Sequence, residues 1–471
     1  MRRSTKNILK LLLGLTWSLL CLLGCKKQDE FLDAKSQESD IVPVTLEDFQ
    51  AVMDNSGVMN TNYTTLGQTG ADNYSVTDAN YGSLQTYEKN SCLWLKEIFA
   101  PTANDVGYTT SYLIVRNSNI VLEGLGKIGL SATNAAAYHI VEGHARFVRA
   151  FMFFNLLNVY AKQYQEATAA TDPGIPLRTF SDINILVGRS SVKTSYDFII
   201  NELKLAAEIL PVNALVLMRP SKPAAYALLA KVYLQKGDYS NASKCCDSVL
   251  RYKSQLLDFN DGTLVTSTNY RFPAFNKGNP EILYYAEGTA TLTASPNTSY
   301  NVCFAETGLY NSYSNDDLRK TTFYNLINGV QAKFQGAYTG NRNIFSGLAL
   351  NEVLLMRAEC RARLNDLNGC LADINGLLKN RYKTNTYTDN TAATPDSALV
   401  FVLNERRKEL PNTGQVRWED LRRLNLDSRF ARTLTRINNG ITYTLPPGDP
   451  RYVFPFTAKI IQQEGLQQNE R

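Results

Sequence analysis

The sequence predicts a mainly α protein, in which a scaffold of helical hairpins supports a loop-rich, irregular half. Three observations point there. Apolar residues recur at helical spacing over long stretches of the chain. A helix–turn–helix pattern occurs twice with the same internal interval. Two segments, 60–90 and 255–347, break the helical period and are rich in Asn, Thr, Gly and Tyr.

The elements follow in order. From Val44 the pattern is mostly helical, and Leu93 to Leu125 keeps apolar residues at helical spacing with Pro101 interrupting. A long helix is expected from about Ala135 to Ala161, through Ile140, Phe147, Phe151, Phe154 and Leu157. Another runs from Tyr196 to Leu210, started by Thr194 or Ser195 and stopped by Pro211. Between Pro223 and Leu250, Tyr226, Leu229, Ala230 and Tyr233 share one helix face. Gly237-Asp238-Tyr239 then turns the chain, and Ala242, Cys246 and Val249 line a second helix. Two helices approach closely only where the crossing residues are small, as Ala230 and Ala242 are. This is tetratricopeptide spacing. It recurs with Leu354, Ala358, a turn at Asn365-Asp366-Leu367, then Cys370 and Ile374, and Cys370 takes the place of the second small residue.

The irregular segments hold many of the 26 tyrosines, among them Tyr63, Tyr74, Tyr81 and Tyr87 in the first and Tyr300, Tyr310, Tyr313 and Tyr338 in the second. Polar loops with aromatics on a rigid scaffold are where binding surfaces usually lie. For any single tyrosine, covering an apolar face of the helices is the favoured reading; it is their concentration in two loop regions that points to binding.

The N-terminus reads as a secretory lipoprotein signal. Arg2, Arg3, Lys6 and Lys10 precede an apolar run that ends in Leu22-Leu23-Gly24-Cys25. That run is too short for a span of about 20 apolar residues. Cys25 is the expected lipidation site, residues 1–24 the signal, 25–40 a tether, and 41–471 one folded unit with parts 41–260 and 261–471. Removing the signal's four basic residues takes the formal charge from +5 to +1. A nearly neutral chain argues against nucleic acid as a partner. Cys92, Cys245, Cys246, Cys303, Cys360 and Cys370 show no metal-ligand spacing and read as small buried hydrophobes, with a Cys360–Cys370 bridge as the alternative.

The chain offers little that could carry catalytic or metal chemistry. His139 and His144 flank Glu142, but ligands on a helix want i and i+4, and i and i+5 lie about 140° apart. Gly124-Leu-Gly126-Lys-Ile-Gly129 follows a helical stretch instead of a strand, so it reads as a helix end and not a dinucleotide loop. Neither a Gly-x-Ser-x-Gly elbow nor a phosphate-binding loop occurs. The charged stretch from Glu405 to Arg432 interleaves both signs, which predicts intramolecular ion pairs, with Arg417 or a neighbour stacking on Trp418. No metal or cofactor is expected, and no catalytic residue.

Several strings together resemble one family. They are Glu142-Gly-His-Ala-Arg-Phe-Val-Arg-Ala-Phe, Gly174-Ile-Pro-Leu177, Ser195-Tyr-Asp-Phe-Ile-Ile-Asn-Glu-Leu and Ser221-Lys-Pro-Ala-Ala-Tyr. Glu405-Arg-Arg-Lys-Glu-Leu, Arg417-Trp-Glu-Asp-Leu-Arg-Arg423, Phe454-Pro455 and Gln467-Gln-Asn469 continue the match. With the lipoprotein signal, the mature chain resembles SusD/RagB-type outer-membrane lipoproteins over nearly its whole length. The resemblance implies a SusD-like fold of tetratricopeptide hairpins with a loop-rich binding half. It implies a non-catalytic subunit at the outer surface of a Gram-negative cell, held by its N-terminal lipid. Such a subunit captures glycan for a SusC-like, TonB-dependent β-barrel transporter. A peptide-binding subunit of the RagB kind and a lipid-anchored hydrolase are the alternatives. Asp72, Asn73, Tyr74 and Trp94 fall where the family places part of its ligand surface, and Tyr300, Tyr310 and Tyr313 are candidates from the second loop. A sugar's C–H face lies on an aromatic ring while amides and carboxylates meet its hydroxyls.

Overall fold

Short polar side chains set where the helices begin. The structure, a computed structural model, describes residues 43–266, 268–296 and 301–471. The expected signal and tether, the expected lipidation site Cys25, and Tyr300 lie outside the described residues. Thr45 and Asp48 form a reciprocal capping box ahead of α1 (Leu46–Asp54). Asp105 accepts the Tyr108 amide at the start of α2 (Val106–Ile128), so residues 93–105 precede the helix. Gly129, at φ +76°, ends α2 as the glycine pattern predicts. After α3 (Ala135–Tyr160), Ser191 caps α4 (Val192–Ile209) by accepting the Thr194 amide. The helix therefore starts about a turn before the expected Tyr196.

Two hairpins of the same build follow. In α5 (Lys222–Lys236) and α6 (Tyr239–Tyr252), Gly237 takes φ +80° and Asp238 accepts the Asn241 amide. In α7 (Leu350–Arg363) and α8 (Leu367–Lys379), Asn365 takes φ +64° and Asp366 accepts the Gly369 amide. Ala230, Ala242, Ala358 and Cys370 are all fully buried. The helices pack serially, α2 on α3, α3 on α4, and onward through α5, α6, α7 and α8, with α9 (Pro395–Glu409) against α7. Every residue of α3 from Phe147 to Tyr160 is buried, which makes it the central rod of the scaffold. All six cysteines among the described residues are free, and five are buried, Cys245 being half-buried. No helix among the described residues is long and apolar enough to cross a membrane.

The irregular half is held by short antiparallel pairs and a core of its own. β1 (Tyr74–Val76) pairs with β2 (Cys303–Ala305), which joins the two aromatic segments. β3 (Leu434–Asn438) and β4 (Ile441–Leu445) form a hairpin turned by Asn439 and Gly440, both at positive φ. The expectation that a single loop tyrosine covers an apolar face holds for many of them, although several close a core of their own instead of covering the helices. Tyr284, Tyr285, Tyr313, Tyr324 and Tyr338 are buried, most of them in a cluster with Phe259, Phe272, Phe323 and Phe334. Burying large rings is what gives such an irregular segment a core.

The charged stretch does form internal ion pairs. Arg406 reaches Asp420 at 2.8 Å and Glu352 at 3.1 Å, and Arg423 reaches Asp420 at 2.8 Å on α10 (Val416–Leu424). Trp418 is a correction. Its ring packs on Tyr452 and Phe454, and Arg417 turns to Asp72 instead.

His144 on α3 is 1% exposed; its Nδ1 lies 3.4 Å from Gln50 Nε2, and its Nε2 has no partner. Burial pushes its pKa down to about 3; Asp54 opposes that shift and Arg219 adds to it. The unfolded chain takes up this proton below about pH 6.5 and the folded chain does not, so stability falls as pH drops through that window. By pH 5 the loss is about 2 kcal/mol. A His144→Leu variant is expected to lose that much less between pH 7.5 and pH 5 in denaturant titrations. An unchanged pH slope would refute it.

Candidate functional site

A cleft of about 410 Å³ opens where β1, the Cys92–Trp94 turn, the end of α9 and the β3–β4 hairpin meet. That volume lies in the ordinary range of small-molecule sites, about 300–1,000 Å³. The short helix Leu66–Gly70 delivers the chain to its floor. A Cβ at Gly67 would lie 2.7 Å from the Trp418 ring and one at Gly70 2.9 Å, so this helix sits on α10 only because both residues are glycine.

From there Asp72 enters the cleft and gathers arginines. Arg417 Nε and Nη2 donate to its carboxylate at 2.6 and 3.1 Å, and Arg432 donates to it as well. Arg407 donates to the Asp72 carbonyl at 3.0 Å and to Asn73 Oδ1 at 2.9 Å. Asn73 is buried and ties the floor to α9's end by donating to the Pro411 carbonyl at 2.8 Å.

Tyr74 and Trp94 line the cleft but lie almost wholly inside, at 3% and 1% exposure. The Arg436 guanidinium stands 4.3 Å from the Tyr74 ring centre and 5.1 Å from that of Trp94. It donates to the Cys92 carbonyl at 2.6 Å, to the Tyr74 hydroxyl at 3.1 Å and to the Ala71 carbonyl. Burial pushes the Tyr74 phenol well up despite Arg436, so it stays neutral. Trp94 holds φ +53°, a conformation that costs a non-glycine residue about 1–3 kcal/mol unless its surroundings impose it. They do so here through the indole N–H, which donates to the Gly70 carbonyl at 2.8 Å, and through Arg451, which donates to the Trp94 carbonyl.

The structure thus brings Asp72, Tyr74 and Trp94 together in one cleft, with Asn73 directly beneath. Tyr313 does not join them; it is buried in the second core, its hydroxyl donating to the Lys408 carbonyl at 2.7 Å. Tyr310 is half-buried, and Lys320 stands 5.4 Å from its ring centre. It lies on the short helix Thr307–Asn311, whose N-cap, Glu306, does line the cleft. Sequence reasoning missed Glu306, Arg407, Arg432 and Arg436. A signal existed for Arg436: the alternation Leu434-Thr-Arg-Ile-Asn438 followed by Asn-Gly marks a hairpin. No group of three or more His, Cys, Asp or Glu among the described residues is placed to hold a metal ion.

Two family models match the chain. One, SusD-like and described as starch-binding associating with outer membrane, covers residues 30–234, and the other, the SusD family, covers residues 260–468. A SusD superfamily protein from Bacteroides thetaiotaomicron has the same fold, with a TM-score of 0.73 at 20% identity over 91% of this chain and 100% of its own. A SusD-like carbohydrate binding protein from Bacteroides vulgatus gives a TM-score of 0.65 at 17% identity, over 89% of this chain and 97% of its own. SusD-like protein P2 of Formosa agariphila is 26% identical over 145 residues, which are 31% of this chain and 26% of that protein's length.

Proposed function

Because the chain belongs to the SusD family of carbohydrate-binding outer-membrane proteins, we propose that it is a non-catalytic cell-surface subunit that captures glycan. It hands that glycan to a SusC-like, TonB-dependent transporter. In this reading Cys25 carries the lipid that holds the protein at the outer membrane, facing the exterior. The observation that carries the reading is the cleft over Asp72, Tyr74 and Trp94. Its floor is fixed by hydrogen bonds and cation–π contacts, and Ser75, Thr433 and Thr435 are among the residues that line it. A preformed polar cleft with rigid walls suits a ligand rich in hydroxyl groups.

Ser75 is exposed and lines this cleft. A Ser75→Trp variant fills the space without touching the core. It is expected to reduce oligosaccharide affinity at least about tenfold, the scale of 1.4 kcal/mol in binding, with an unchanged melting temperature. Titration calorimetry of the mature protein against an oligosaccharide panel, with product analysis alongside, supplies the test. Unchanged binding by the variant would remove the cleft from the reading. Co-purified peptides with no glycan binding would favour the peptide alternative, and reproducible cleavage would favour the hydrolase.

A further inference from the structure

The charge in the cleft is unbalanced, and this points to the class of glycan. Three arginines line it, Arg407, Arg432 and Arg436, with Arg417 directly behind, against two carboxylates, Asp72 and Glu306. Asp72 alone faces three of the four: Arg417 at 2.6 Å, Arg407 at 3.4 Å, and Arg432. One carboxylate does not neutralise three guanidiniums. Glu306 reaches only Arg407, at 3.5 Å. Arg436 makes no ion pair with a carboxylate of the described residues, feels only the same Asp72 at longer range, and is held by carbonyl groups, a phenol and two rings. Asp78, at the far end of the hairpin, is engaged with the Asn438 side chain and the Asn439 amide and does not line the cleft. The net charge around the cleft is therefore positive in a chain that is close to neutral without its signal. Concave walls of low polarisability concentrate such a field.

Donors are also left open. Arg432 has a side chain 42% exposed and uses Nη2 for Asp72; its Nε and Nη1 make no hydrogen bond to a described residue. Arg407 uses Nε and Nη2 on Asn73, Asp72 and Glu306, and its Nη1 is likewise unused. Guanidinium forks with unused edges match the paired oxygens of a carboxylate or a sulfate ester.

We infer that this cleft takes an acidic oligosaccharide, whose uronate carboxylate or sulfate ester bridges Arg432 and Arg407. The inference rests on the glycan-capture reading and narrows it. The mature protein is titrated with paired probes: an oligogalacturonide and its carboxyl-reduced counterpart, and a sulfated galactan oligomer and its desulfated counterpart. At least one acidic member is expected to bind about tenfold or more tighter than its neutral partner, the scale of one charge-assisted hydrogen bond. Its affinity should fall as salt rises. Arg432→Gln, at an exposed position, should lose about tenfold for that acidic probe and flatten the salt dependence of its binding. Arg407→Gln is the second variant. Equal binding of each pair, or an unchanged Arg432→Gln variant, overturns the acidic class and leaves glycan capture standing. Binding of acidic peptides with no oligosaccharide bound overturns both, and binding of no probe in the panel overturns the acidic class.

Discussion

Replacing Arg319 with methionine is expected to lower the unfolding free energy by about 3–5 kcal/mol, the usual consequence of removing one partner from a buried ionic cluster. Arg319 is completely buried, and it meets Asp317 at 2.7 Å, Glu405 at 2.6 Å and Glu409 at 3.2 Å. Burial alone would weaken its hold on its proton, but Glu405 and Asp317 more than reverse this, and its pKa is raised. Without the guanidinium, Glu405 keeps Lys408 at 2.6 Å and Glu409 keeps Arg381 at 2.9 Å. Asp317 is left with Lys408 at 3.7 Å, a buried anion with a poor partner. The loss falls where the irregular half is joined to α9, because Asp317 and Arg319 belong to the former and Glu405 and Glu409 to the latter. Urea titrations at pH 7.5 should show it. Arg319→Met combined with Asp317→Asn should recover part of the loss, since the stranded charge is then gone. A single variant within about 1 kcal/mol of the parent, or no recovery in the double, would show that the cluster is not organised around this residue.

How much of this could be read from the chain depended on the range of the interactions. α3 and the hairpins α5–α6 and α7–α8 were legible because their period, their small crossing residues and their Gly-Asp or Asn-Asp turns are local. The start of α4 was misjudged by about a turn because Thr194, Ser195 and Ser191 are chemically equivalent caps, and the choice among them depends on packing. The irregular half was legible only as a loss of periodicity. Burial is the expectation for each of its tyrosines taken singly, but nothing local reports that Tyr285, Tyr313 and Tyr338 close on phenylalanines brought in from elsewhere instead of on the helices. In the cleft, Asp72, Tyr74 and Trp94 were named through a family resemblance. The arginines that define its charge were not, since Arg417 and Asp72 stand 345 residues apart in sequence. Charges in Glu405 to Arg432 were rightly expected to pair internally, yet Arg407 and Arg432 keep unused donors at the cleft. Alternating signs along a chain do not reveal which pairs are incomplete.

Trp418→Ala is expected to cost about 3–5 kcal/mol of stability, the range for truncating a large buried aromatic, and to weaken ligand binding from a distance. The indole is fully buried on α10, between Tyr452 and Phe454 at 5.0 and 5.5 Å on one side and the helix Leu66–Gly70 on the other. That helix has glycines where it meets the ring, so no side chain there can expand to fill the cavity. Its last residue, Gly70, accepts the Trp94 indole hydrogen bond, and Asp72 follows two positions later. Removing the ring therefore loosens the platform that sets both Asp72 and Trp94 relative to the arginines, although Trp418 itself lines no part of the cleft. Trp418→Phe should lose less, because a ring remains and the indole N–H, which has no partner, is removed. Thermal and urea melts give the stability, and titration of the tightest-binding oligosaccharide gives the coupling to the site. A Trp418→Ala protein that melts like the parent would mean that the small-residue seat repacks. One that is destabilised but binds unchanged would mean that the cleft floor is held by its arginines alone.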